Sequence, residues 1–280
     1  MAQKTVVTHI SPDLDGIGAY WLLKKYHPEF TNAKIDFVPA GQTYLGQPDG
    51  ADPNVVHVDT GMGRFDHHQS SDFTCAAKLV LESLIKDGYI AEDDEAMKRL
   101  VNVLVELDHG WDNYKWSEAA NDRYEFSLHN LLSGWKMVER KSDQELVEMA
   151  IFNLEAVYKL LAAKVKAEEE LAGGEKFATK WGEAVAVYTG NSTVLDLGIK
   201  KGFALVAVKD PKRGNVRITG SNNKNVDLTD AYEKLAKIDR EGTWYLHPSK
   251  VLLRNGSSRN PQMIPTKLEL GEIIEVFKKV

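Results

Sequence analysis

Apolar residues in the first sixty positions come in short blocks separated by polar turns. Residues 4–10 are apolar and β-branched, and 35–40 and 55–58 are compact apolar runs. Between the first two blocks, Ile17, Tyr20, Leu22 and Leu23 recur at helical spacing within 16–26. This pattern predicts strand, helix, strand, strand, the strands covered on both faces as in a mainly parallel sheet. The turn 11–15 and the Gly-, Pro-, Gln- and Asp-rich loop 41–53 separate the blocks. Helical spacing returns at 76–86, 93–107 and 122–132, then over 143–171, the longest candidate. Ser142 can cap that last helix, and Gly173-Gly174 ends it. Beyond it come predicted strands at 184–188, 203–208 and 216–220 and helices at 228–236 and 267–278.

The chain has 280 residues, more than one typical domain, with 43% hydrophobic and 27% charged residues. Its charge is uneven. Residues 1–175 hold 17 Lys and Arg against 30 Asp and Glu, a net −13, whereas 176–280 hold 18 against 11, a net +7. The switch falls just past the long helix. The expected fold is therefore α/β: a doubly wound, mainly parallel sheet in 1–142, a linker helix in 143–175, and a smaller, basic α/β lobe in 176–280. No apolar run approaches the ~18 residues of a membrane helix. A single cysteine, Cys75, excludes intrachain disulfides and cysteine-based zinc clusters. With no signal-like apolar core at the start, a cytoplasmic protein without a membrane partner is expected.

Four segments concentrate acidic and imidazole groups. His9, Asp13 and Asp15 follow the first strand; Asp59-Thr60-Gly61 follows the third; Asp66-His67-His68 comes next; Asp108-His109-Gly110 follows a later helix. In a doubly wound sheet, loops at the carboxyl ends of strands converge on one crevice. Several carboxylates there repel one another unless cations neutralise them. Helix capping explains Asp13 or Asp15 singly, and a turn explains Asp59, but neither explains the set together with His9 and His67. Mixed imidazole and carboxylate donors suit Mn²⁺ first, with Mg²⁺, Co²⁺ or Fe²⁺ as alternatives. His57 reads as a packed strand residue. Trp111, Tyr114 and Trp116 are either core aromatics or rings that stack on bases. No G-x-S-x-G elbow and no P-loop is present.

The stretches HISPDLDGIG, VDTG, DHHQ and LDHG, in this order, resemble the four motifs of the DHH phosphoesterase superfamily. The resemblance implies a centre of two divalent cations. His9 and Asp13 would hold one, Asp15, His67 and Asp108 the other, and Asp59 would bridge them. It further implies that Asp66 orients His67, that His68 touches the substrate phosphate, and that a water bridging the two ions is the attacking group.

Two stretches of the basic lobe read as anion-binding. One contains Arg217 and Ser221; the other runs through Arg254, Asn255, Gly256, Ser257, Ser258 and Arg259. Arginine offers phosphate a rigid donor fork, and glycine with serine lets backbone N–H groups approach. The order of elements resembles the DHH-associated C-terminal domain of the nuclease-like branch, although Asn255-Gly256-Ser257-Ser258 stands where many members have Gly-Gly-Gly-His. Ser258-Arg259-Asn260-Pro261-Gln262 is faintly similar to a signature of the family's inorganic pyrophosphatases. The resemblance thus implies hydrolysis of phosphodiesters in short single-stranded oligonucleotides or small nucleotides, from a 3′ end. Inorganic pyrophosphatase, exopolyphosphatase and a non-catalytic nucleotide-binding protein are the alternatives. Long duplex nucleic acid is not expected, because the acidic lobe offers no continuous basic track. The oligomeric state stays open, a homodimer included.

Overall fold

A computed structural model describes residues 3–111, 121–138, 142–256 and 260–280. It divides into two compact units, 1–162 and 163–280. The first is built on a parallel sheet of β1 (Thr5–His9), β2 (Lys34–Val38) and β3 (Val55–His57) in the order β2-β1-β3. The chain leaves β1 for β2 on one side, while β3 pairs on the other. The carboxyl end of β1 is therefore a point where connections diverge and a crevice opens.

Helix α1 (Leu14–Tyr26) follows β1 and is buried continuously from Leu14 to Leu23. A helix with no polar face must be enclosed, and α2 (Ala76–Lys86) and α3 (Glu95–Asp108) enclose this one. Gly18 permits the close approach: a Cβ there would lie 2.7 Å from Leu104 Cδ1. Helix α5 (Asp143–Ala172) adds Leu146, Val147, Ala150 and Leu154 to this core. Trp21 Nε1 donates to Glu155 at 2.7 Å, Lys25 pairs with the same carboxylate, and Tyr158 OH donates to Asp94 at 2.8 Å.

In the second unit, six strands stand in the order β4-β5-β6-β7-β9-β8: β4 (Glu175–Thr179), β5 (Gly182–Tyr188), β6 (Leu205–Lys209), β7 (Val216–Gly220), β8 (Trp244–Leu246) and β9 (Leu252–Asn255). Only β5 and β6 pair in parallel. Their side chains alternate between two cores. Ala184, Ala186, Leu205 and Ala207 meet α7 (Thr229–Ile238) and α8 (Leu270–Lys278). Val185, Val187, Val206 and Val208 meet α6 (Thr193–Lys200) and the end of α5. Both units are α/β, and among the described residues no helix is long and apolar enough to cross a membrane.

One predicted element changes. Instead of a single helix over 122–132, a 3₁₀ turn at Asp122–Phe126 precedes helix α4 (Leu128–Val138). Asn121 caps the turn by accepting from Arg123 N at 2.9 Å, and Ser127 Oγ accepts from Asn130 N, so the polar pair restarts the chain twice. Strands β4, β8 and β9 and helix α6 lie outside the elements that periodicity predicts.

Candidate metal centre

His9 ends β1. Asp13 then caps α1, its Oδ1 accepting from Asp15 N at 2.8 Å and Gly16 N at 3.2 Å. Asp15 is buried in the first turn of α1, and both its oxygens accept at 2.7 Å from Ala76 N and Ala77 N, the start of α2. Asp59 lies two residues past β3, with φ +56°, a left-handed conformation that Asp and Asn tolerate best among residues with a side chain. That turn aims its carboxylate back toward β1: Oδ2 lies 3.2 Å from His9 Nε2 and Oδ1 3.5 Å from His67 Nε2. His67 Nε2 also lies 3.7 Å from both Asp15 Oδ2 and Asp108 Oδ2.

Two groups of possible ligands emerge, His9–Asp13–Asp59 and Asp15–His67–Asp108, each offering three donor atoms within 4.8 Å of one another. A third, Asp59–His67–His68, overlaps them, so Asp59 belongs to the first group and touches the second. His67 Nε2 is buried without a hydrogen-bond partner, since its neighbouring carboxylate oxygens stand beyond good hydrogen-bond range. A buried nitrogen without a hydrogen bond, ringed by three carboxylates, is a place where a divalent cation would satisfy donors and charge together. The donor set fits a divalent metal.

Charge in the cluster is strongly coupled. The Asp59 carboxylate raises His9 and His67 to about 9, against the opposing effect of burial. Burial pushes Asp59 itself upward, but His67 and His9 outweigh it and hold it below the usual carboxylate range. Burial, then the Asp59 charge, pushes Asp15 up to about 8, and burial also raises Asp108. A ring with a pKa near 9 is protonated at pH 7, whereas a metal needs it neutral. Ion binding must therefore expel those protons. Titration calorimetry at pH 7 in buffers of different ionisation enthalpy should show about three protons released, two from the histidines and one from Asp15. Apparent affinity should climb with pH until about 9 and flatten above it; binding with no proton release would contradict the assignment.

Asp66 takes a different part from the one expected. Its Oδ1 accepts from His68 Nδ1 at 2.7 Å and from His68 N at 3.1 Å, and its Oδ2 from Met62 N at 2.7 Å, so it orients His68 rather than His67. Burial raises its pKa, but these bonds prevail and keep it ionised. His68 is 57% exposed at its side chain. His57 is a buried clamp for the loop after β2: Nε2 accepts from Tyr44 N at 2.9 Å, and Nδ1 meets Asp49 Oδ1 at 2.8 Å. Tyr114 and Trp116 lie outside the described residues.

One neighbour has no sequence signal. His129 on α4 lines a cavity of about 100 Å³ with Asp13, Asp15 and Asp108. A lone histidine on a helix carries no motif; only the packing of α4 brings it here.

In the second unit, Arg217 and Arg254 are cross-strand partners on β7 and β9. Burial lowers the pKa of both guanidiniums, and the charge of Arg217 adds to the effect on Arg254. Arg254 donates to Ile218 O and Leu253 O, and Arg217 to Gly190 O. Asn255 is not open to substrate: it is fully buried, its Oδ1 accepting from Thr266 N and its Nδ2 reaching Ile264 O at 3.4 Å. Ser221 is buried too, and Gly256 (φ +77°) packs where a Cβ would meet Asn215 Oδ1 at 2.6 Å. Ser257, Ser258 and Arg259 lie outside the described residues.

Fold and site together define an α/β protein of two units whose parallel-sheet unit carries a His/Asp cluster fit for divalent metal. No protein-family profile matches the chain, and no curated protein matches it. Among solved structures, it is similar to a Methanococcus jannaschii protein provisionally described as a family II inorganic pyrophosphatase. Identity is 12%, 98% of this chain and 99% of that one are covered, and the TM-score is 0.22. A score that low carries no inference about activity.

Proposed function

We propose that this chain is a phosphohydrolase of the DHH type, working with two divalent cations, Mn²⁺ first among them. Its proposed substrates are short single-stranded oligonucleotides or small nucleotides. The observation that carries the reading is the pair of donor groups joined through Asp59, with His67 Nε2 left unpartnered among carboxylates. His9, Asp13 and Asp59 would hold one ion, and Asp15, His67 and Asp108 the other. When bound, the ions neutralise charge growing on the phosphoryl oxygens and lower the pKa of a water.

The remaining roles fall to the chain's own side chains. Asp66, held ionised, accepts from His68 Nδ1, which fixes the ring and leaves Nε2 turned to a substrate oxygen. Asp13 and Asp15 are pinned by backbone N–H groups, so their carboxylates need no reorganisation during turnover. In the second unit, Arg217 and Arg254 offer guanidinium donors to an anion.

The test is product analysis on chelator-stripped protein with Mn²⁺ restored, using a dinucleotide, a longer single-stranded RNA, a matched DNA and pyrophosphate. Mononucleotides released only with Mn²⁺ are the expected result. Phosphate from pyrophosphate alone would replace the nucleotide reading with a pyrophosphatase. No hydrolysis with any divalent ion would leave a binding protein.

A further inference from the structure

We propose that Phe73, Trp111 and His109 form a stacking wall on which the base of a nucleotide substrate rests while its phosphate lies at the His/Asp cluster. The inference rests on the phosphohydrolase reading and adds to it the part of the substrate that is recognised. Phe73 comes from the turn before α2, and Trp111 lies three residues past α3. Their ring centroids are 4.3 Å apart at 33°. The other neighbour of Phe73 is His109, at 4.5 Å, and the His109 ring lies 6.4 Å from that of His67. His109 is fixed in place by Nδ1 against Val105 O at 2.9 Å. A continuous row of rings thus runs outward from a candidate metal ligand.

The row is not core. Phe73 is 42% exposed and Trp111 54%. Folding has left two large aromatic surfaces partly open beside the His/Asp cluster, although aromatic residues usually gain by burial. Both also start from elements that position the cluster: α3 ends in Asp108, and α2 begins on Asp15. A phosphate bound at the cluster would bring an attached base to this wall, where every base has a π-face to offer. Pyrophosphate has none and would leave the rings bare.

The test compares kcat/KM for a dinucleotide with that for the same dinucleotide lacking one base. The wild-type protein should prefer the intact substrate about ten-fold, the scale of one base–aromatic contact. Phe73→Ala and Trp111→Ala should erase that preference, and Trp111→Phe should retain most of it. A preference unchanged in both alanine variants would overturn the wall. Binding gives a second readout: adenosine 5′-monophosphate should quench tryptophan emission in the wild type but not in Trp111→Phe. If the wild type cleaves neither dinucleotide with ions restored, the phosphohydrolase reading has failed. The quench then decides the wall: its loss in Trp111→Phe upholds the stacking site, and its absence from the wild type overturns it.

Discussion

Asp59→Asn should abolish phosphoester hydrolysis, by on the order of 10³-fold or more, without unfolding the protein. Three features make this the sharpest substitution in the cluster. Asp59 belongs to two of the three overlapping donor groups and reaches the remaining one through His67, so in the proposed centre its loss weakens the hold on both ions at once. Its backbone stands at φ +56°, where asparagine is tolerated but alanine is strained, so the amide variant isolates the charge from the turn. Its carboxylate also holds His9 and His67 near pKa 9, and an amide would let both rings fall back toward ordinary values. Without ions the variant should melt at a lower temperature than the wild type at pH 7, because both rings lose the stabilisation their raised pKa represents, and the rise in Tm that Mn²⁺ should bring to the wild type should disappear. Turnover within ten-fold of wild type would sink the shared-ligand role.

Gly16→Ala should damage stability and metal binding together. A Cβ at Gly16 would come 2.5 Å from Thr8 Oγ1 and 3.1 Å from Asp59 Oδ2. Thr8 is fully buried and β-branched, so it cannot swing aside cheaply, and the strain passes to Asp59. Overpacking of this kind costs ~1–3 kcal/mol. Thr8 Oγ1 has no hydrogen-bond partner, so removing it sacrifices packing but no bond. The double variant Thr8→Ala, Gly16→Ala should thus be more stable than the sum of the single effects and should regain Mn²⁺ binding. Denaturant titration of the four proteins checks it, and strict additivity would contradict the steric account.

Much of this centre was legible in the sequence because its residues sit at the ends of strands and helices, where side chains converge whatever the details of packing. His9 closes β1, Asp13 caps α1, and Asp108 ends α3, so strand and helix prediction alone nearly places them. The assignment of Asp66 failed because adjacent histidines give no hint of which ring turns inward; the backbone turn at 66–68 decides it. His129 stayed hidden because α4 starts at a Ser127 cap inside a stretch whose periodicity reads as one helix. Asn255 misled for the opposite reason. A polar residue beside Arg254 and Gly256 looks like a surface turn, yet β9 carries it into the sheet, where it bonds the segment ending at Thr266. Short strands such as β8 have too few residues to show a period.

Helix α2 opens at Cys75, whose side chain supplies no capping bond; the caps come instead from Asp15, sixty-one and sixty-two residues away in sequence. Under the proposed function, one carboxylate therefore answers to two selective pressures, one from the helix and one from the metal centre. A relative that had lost catalysis would still be penalised for changing Asp15, because the helix would lose its anchor. Surviving Asp15 is weak testimony that such a relative remains an enzyme. His9 and His67 lack that structural duty and should be the first positions to drift when activity lapses, which makes them the better markers for sorting working members of the lineage from relics.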